Sequence, residues 1–229
     1  MAVYAGPEVV TNGLVLALDA GNRQSYPGSG TTWTDLSENR NAVTLANGPT
    51  FSSTNRGNIV FDGSNDHVDF FAPNLDTTAT VEVWCKIGAG ATDKMMFGWL
   101  LYDVWFTWDG NFGYNTANGD VRAIPSATVS ALGLVNNWKH YIFEMRSDVS
   151  YTNNKIYINT ASQTLSQLNS GEIAGNRTFN SGNGRIAVWR NNLYHCMPMN
   201  LASFRVYNRA LTQAEIQQNF NALRGRFGI

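Results

Sequence analysis

The chain has 229 residues and a formal net charge of −1, and only 14% of its residues are charged, against about a quarter in an ordinary globular domain. That balance sets up no basic field for nucleic acid or for an anionic lipid surface. No run of about 18 apolar residues occurs, which argues against a membrane-spanning helix, and residues 1–20 lack the basic start and apolar run of a secretory leader, so none is expected.

The first twelve residues, 1–12, read as an apolar N-terminal arm able to dock on a neighbouring subunit. Leu14–Leu18 is the first strand, ended by "DAGN", and "SYPGSG" at 25–30 is a Pro/Gly turn. Residues 59–61 and 67–71 flank "DGSND" as two further strands. In "ATVEVWCKI" (79–87), Val81, Val83, Cys85 and Ile87 alternate with Glu82, Trp84 and Lys86. Period two means a strand with its first set on the core, which reads Cys85 as a buried thiol, with a bridge to Cys196 as the alternative. "WKHYIFEMR" (138–146) alternates in the same way, and "NKIYINTAS" (154–162) follows it across "SYTNN" at hairpin spacing. "GRIAVWR" (184–190) and "LASFRVYNR" (201–209) complete the strands. Asn176-Arg177-Thr178 fits a glycosylation sequon, but without a leader it is not expected to be used.

"LTQAEIQQNFNALRGR" (211–226) departs from this rhythm. Thr212 and Glu215 form a T-x-x-E capping box, Leu211 and Ile216 a hydrophobic staple, and Ile216, Phe220 and Leu223 one apolar face. A helix over about 212–223 is expected, stopped at Gly225 and packed across the sheets or over one end of them. The fold class is therefore all-β: a two-sheet antiparallel jelly-roll sandwich with one short C-terminal amphipathic helix, a single domain over 13–229.

Four segments together, "GLVLALDAGN", "SYPGSGTTWTDLSENRN", "GNIVFDGSNDHVDF" and "ASFRVYNRALTQAEIQQNFNALRGRFGI", resemble the laminin-G-like, concanavalin A-like jelly-roll superfamily. The opening "AGPEVVTNGLVLALDAGN" and the closing "NFNALRGRFGI" resemble stand-alone proteins of tailed, especially marine, bacteriophages. The resemblance implies two packed antiparallel sheets. It also implies carbohydrate binding, host adhesion or decoration of a virion. Glu38 and Arg40 stand where the family pattern "DLSGNGN" carries glycine, which argues against a positive-φ turn there. His67 takes the place of a tyrosine in "FDGxxDY".

Three groups of residues are candidates for chemistry. Asp62, Asn65 and Asp66 offer oxygens either to an Asx turn or to half of a calcium shell, with Asp19 or Asp35 able to add a ligand. "WLLYDVWFTWDGNFGY" (99–114) concentrates rings whose faces can stack on sugars, beside polar groups for the hydroxyls. The glycan candidates are Tyr102, Asp103, Trp105, Trp108, Asp109 and Asn111, with Asn115 nearby. Alternation requires about half of the rings to be core. Glu82 and Glu144 are the only acids to consider for glycan hydrolysis, and no run of carboxylates shares a strand face as that chemistry needs. No enzyme is expected. The primary reading is a phage virion structural protein, either a capsid decoration or a tail or fibre protein. It would be made in the host cytoplasm and would contact other virion proteins, copies of itself and host surface carbohydrate. The alternative is a carbohydrate-binding adhesion module.

Overall fold

The computed structural model describes residues 7–72, 75–99, 102–115, 121–146, 153–169 and 182–229. The first half of the expected arm, most of "SYTNN" and the sequon at Asn176 lie outside these residues.

The first strands in chain order are β1 (Leu14–Asp19), β2 (Val43–Ala46), β3 (Thr50–Ser52), β4 (Asn58–Asp62), β5 (His67–Ala72) and β6 (Thr78–Ile87). A second group follows as β7 (Lys94–Trp99), β8 (Tyr102–Phe106), β9 (Phe112–Asn115) and β10 (Val121–Ile124), leading into helix α1 (Ser126–Leu132). The last strands are β11 (Trp138–Arg146), β12 (Lys155–Ile158), β13 (Ala161–Ser162), β14 (Ser166–Asn169), β15 (Gly182–Ile186) and β16 (Pro198–Tyr207), and helix α2 (Gln213–Leu223) closes the chain. They form two eight-stranded sheets. The front sheet runs β13-β12-β11-β6-β16-β4-β3, with β1 also paired to β16. The back sheet runs β14-β10-β9-β8-β7-β15-β5-β2. The named strand pairs are antiparallel, as the jelly-roll reading requires.

Alternation packs the core between the sheets. Val81, Val83, Cys85 and Ile87 of β6 all face inward and join one cluster with Phe97, Trp99, Phe143 and Phe204. The Phe97 ring meets Phe143 edge-on at 5.3 Å and Phe204 at 5.5 Å, the geometry that aromatic quadrupoles favour. Cys85 and Cys196 are both free and buried.

The opposite face of β6 is buried as well, because α2 lies across it as a third layer. Thr212 accepts the N–H of Glu215, and Glu215 reaches back to the N–H of Thr212, so the capping box forms as its spacing indicates. Ile216 and Phe220 point down onto the sheet. Trp84 stacks on Phe227 at 4.5 Å and on Phe220 at 5.7 Å. Between sheet and helix lies Glu82, fully buried. Its Oε1 is 3.1 Å from His140 Nε2 and accepts from Arg205 Nη1 at 3.3 Å. Its Oε2 accepts from Asn219 Nδ2 at 2.8 Å and lies 3.3 Å from the Tyr207 hydroxyl. Asn219 Oδ1 in turn accepts the N–H of Val10 at 2.8 Å. The described part of the N-terminal arm is thus docked on the chain's own last helix. Burial alone would raise the Glu82 pKa, but the Arg205 charge and the His140 hydrogen bond outweigh it and hold the carboxyl below its ordinary value.

Four local expectations are revised. The strand expected over 184–190 ends at Ile186, because Ala187 takes φ 69 and turns the chain out of the sheet. The segment 154–162 is two short strands joined at Asn159 and Thr160, both at positive φ. Gly225 does not stop α2; the chain tightens into a 3-10 turn over Arg224–Arg226 instead. Helix α1, unforeseen, follows Pro125 and ends on Gly133 at φ 57, the left-handed C-terminal residue that glycine favours.

Two measurements probe this layer. Glu82→Gln leaves Arg205 buried without its main counter-charge and is expected to lower unfolding free energy by about 3–5 kcal/mol, read from urea titration. Asn219→Ala should cost about 1–3 kcal/mol through unpaired buried groups. Losses below 1 kcal/mol in both would show that the network does not hold the helix. The second measurement concerns Glu215, whose carboxylate takes two hydrogen bonds from Arg209, at 2.9 and 2.7 Å. With the Thr212 N–H, they pull its pKa from 4.5 to about 2. Because the folded value is the lower one, this contribution is complete above pH 4.5 and lost as pH falls through about 2. The melting temperature of the wild type should fall more steeply across that window than that of Glu215→Gln. Parallel curves would remove Glu215 from the acid response.

Candidate functional site

From Tyr102 onward, the aromatic segment forms the β8–β9 hairpin of the back sheet. In β8, Tyr102, Val104 and Phe106 face the core, while Asp103 and Trp105 face away from it. The connecting turn is closed by the Gly110 N–H donating to Thr107 O at 3.0 Å, with Gly110 at φ 83, a conformation open to glycine at little cost. The Asp109 carboxylate accepts from the Thr107 hydroxyl and from Asn111 Nδ2, so the turn is braced from within. Asn111 Oδ1 also accepts the N–H of Ser126 at 2.8 Å, which ties the turn to the start of α1. Trp108 stands at the tip, 79% exposed.

Beside this tip lies a depression of about 350 Å³, lined chiefly by Trp105, Trp108, Asp109, Asn111, Asn115 and Leu168. Of the glycan candidates, Trp105, Trp108, Asp109 and Asn111 therefore come together. Tyr102 and Asp103 do not. Tyr102 belongs to the inward set and its hydroxyl donates to Arg146 O at 2.6 Å. Asp103 faces outward but is covered, ion-paired to Arg190, which arrives from the segment after β15. Burial raises its pKa and Arg190 opposes that rise. Trp99, Phe112 and Tyr114 are fully buried core residues. Val121 and Leu168 complete the wall from β10 and β14. No local signal marks them, because sheet order alone sets β10 beside β9 and β14 beside β10.

The "DGSND" turn is fastened by its own atoms. Asp62 Oδ1 accepts the N–H of Ser64 at 2.7 Å, and this bond leads in holding the Asp62 pKa down. Asp66 Oδ2 accepts the N–H of Asp62 at 3.1 Å, and the carbonyl of Asn65 accepts from Asn47 Nδ2 at 3.0 Å. This is the Asx-turn arrangement. The two extra carboxylates considered for calcium are engaged elsewhere. Asp35 accepts the N–H groups of Ala17, Ser37 and Asn41 and knits "SENRN" to β1. Asp19 binds Arg226 at 2.7 Å. Calcium takes six to eight oxygens, and among the described residues no group of three or more His, Cys, Asp or Glu side chains is placed to hold one metal ion. Arg40 adopts φ 50 despite replacing glycine, so the positive-φ turn is kept after all. Its Nη1 donates to Asp35 O at 3.2 Å.

Glu82 is sealed beneath α2, and Glu144, also buried, pairs with Lys155 at 3.6 Å. Neither lines the depression. Among the described residues, no helix is long and apolar enough to cross a membrane.

Several solved structures share this fold at low sequence identity. The receptor-binding domain of botulinum neurotoxin C/D mosaic serotype matches with a TM-score of 0.61 at 11% identity, covering 92% of this chain and 51% of that one. The binding domain of botulinum neurotoxin serotype D/C matches with a TM-score of 0.65 at 13% identity, covering 92% and 52%. The binding domain of Paraclostridial Mosquitocidal Protein 1 matches with a TM-score of 0.62 at 16% identity, again covering 92% and 52%. The chain thus spans about half the length of these structures, and at such identities the likeness is one of fold. No curated protein sequence matches the chain. The family model of the laminin-G type, described as "Concanavalin A-like lectin/glucanases superfamily", matches residues 62–217, from the "DGSND" turn into α2. With the sandwich, the turn and the helix in place, this chain belongs to that superfamily.

Proposed function

We propose that the chain is a non-catalytic glycan-binding module displayed on a phage virion. The observation that carries the glycan reading is Trp108. A tryptophan held 79% exposed on a braced turn, beside half-buried Trp105 and the amides of Asn111 and Asn115, offers a ring face for stacking and polar groups for hydroxyls. That combination is what small-ligand sites share, and tryptophan suits surfaces that are apolar on one side and wet on the other. The fold likeness to toxin receptor-binding domains adds an analogy. The non-catalytic reading is supported by Glu82 and Glu144, which are both buried in ion pairs away from the depression, whereas glycosidases set two carboxylates across a cleft.

The virion setting is supported by the resemblance of the first and last segments to stand-alone proteins of tailed phages. Display in many copies among other virion proteins would raise a weak single-site affinity by about 10²–10⁴.

On a glycan array followed by calorimetry, Trp108→Ala is expected to weaken binding about tenfold or more, with an unchanged melting temperature because the ring is exposed. Binding is expected to be equal in calcium and in EDTA, since the "DGSND" turn is closed by its own hydrogen bonds. A Trp108→Ala protein that binds as well as wild type would overturn the site. Immunogold electron microscopy of native particles should label the virion surface. Unlabelled particles would overturn the setting and leave the glycan reading standing.

A further inference from the structure

The outward face of the back sheet carries a second depression, of about 490 Å³, lined among others by Asp69, Phe71, Asn183, Arg185 and Arg190. Arg185 uses Nε on Asp69 at 3.0 Å and Nη1 on Asn192 O at 3.4 Å. Arg190 uses Nη1 on Asp103. A guanidinium has five N–H donors, so Arg185 Nη2 and Arg190 Nε and Nη2 are left without a protein partner among the described residues. The rim also holds the Phe71 ring, 45% exposed, and the exposed Asn183 side chain. Two guanidiniums with idle donors, an open ring and an amide in one depression form a recognition set for an anionic sugar. The carboxylate would take paired Arg donors, and the sugar ring would lie against Phe71.

The register places this depression in line with the one at Trp108. Asp69 pairs with Arg185, Arg185 with Gly98, Gly98 with Asp103, and Asp103 with Asn115. These five residues form one row across four strand spacings, about 20 Å. One end of the row lines the arginine depression and the other lines the Trp108 depression. In the middle of the row, Gly98 leaves room for the Asp103 carboxylate, which lies over it and pairs with Arg190 between the two depressions.

We propose that the two depressions are separate subsites for one acidic polysaccharide chain, with Arg185 and Arg190 selecting a sugar carboxylate two strands or more from the Trp108 stack. This inference rests on the glycan reading of the Trp108 site and adds the class of glycan. The test uses three probes on the full chain: oligogalacturonate, its methyl ester, which keeps the length and removes the charge, and a neutral glucan oligomer. Arg185→Gln is the main variant, because its partner Asp69 is half exposed and its loss leaves no buried charge unpaired. Phe71→Ala is the second variant, at an exposed position.

The acid form is expected to bind about tenfold more tightly than its ester and to weaken as salt rises. Arg185→Gln should remove most of that preference, and Phe71→Ala should weaken the acid form severalfold at an unchanged melting temperature. Equal binding of acid and ester, or a preference that survives in Arg185→Gln, would overturn the acidic subsite while leaving the Trp108 reading intact. Failure of every probe, with no hit on the array either, would overturn both.

Discussion

The Glu82 carboxylate is the contact on which the rest of the architecture turns. It sits at the centre of the front sheet, on the face that a two-layer sandwich would leave to solvent, and it is sealed there by α2. An isolated carboxylate in such a place is costly, so every lone pair must meet a donor. Arg205 comes from the neighbouring strand β16, His140 from β11, Tyr207 from further along β16, and Asn219 from the helix. One carboxylate therefore fixes the relative positions of three strands and the helix, and Asn219 passes the constraint on to Val10 and the N-terminal segment. Aromatic stacking of Trp84 between His140, Phe220 and Phe227 fills the space around it.

Closing one outer face in this way gives the two faces different roles. The centre of the front sheet has become interior on both sides, with β6 and β16 buried along nearly their whole lengths. The back sheet keeps two depressions on its outward face, one beside the Trp108 turn and one beside Phe71, with the Asp103–Arg190 pair between them. A rigid sandwich that presents loop tips and one polar face is the arrangement in which binding residues usually sit. Outward contacts also hold a loop in place: the Arg190–Asp103 ion pair and the Arg185 hydrogen bond to Asn192 O tether the segment after β15 to the sheet.

Much of this was legible residue by residue, and the failures have physical causes. The alternation in 79–87 assigned the core face of β6 correctly, since period two is a property of the strand alone. It assigned Glu82 and Trp84 to the opposite face, also correctly, but alternation says nothing of what covers that face. Tyr102 entered the candidate set because Tyr102 and Trp105 are equally aromatic on paper; their parity along β8 sends one inward and the other outward. Asp103 has the outward parity and is nonetheless unavailable, because an arginine distant in sequence lands on it. Arg40 shows the converse: a glycine signal was absent, yet Asp35 and the backbone it organises hold the turn at φ 50 with arginine in place.

The order of residues along the chain therefore settled what depends on near neighbours: strand identity, which face of each strand is apolar, the capping box that starts α2, and the hairpin that raises Trp108. These are effects of periodicity and of hydrogen bonds spanning a few positions. The choice of which outward face is covered, the union of Val121 and Leu168 with the β8–β9 hairpin, and the pairings of Glu82 with Asn219 and Asp103 with Arg190 arose only when the sheets were assembled. Each joins residues far apart in sequence, and the burial that makes such contacts strong does not exist until the layers meet.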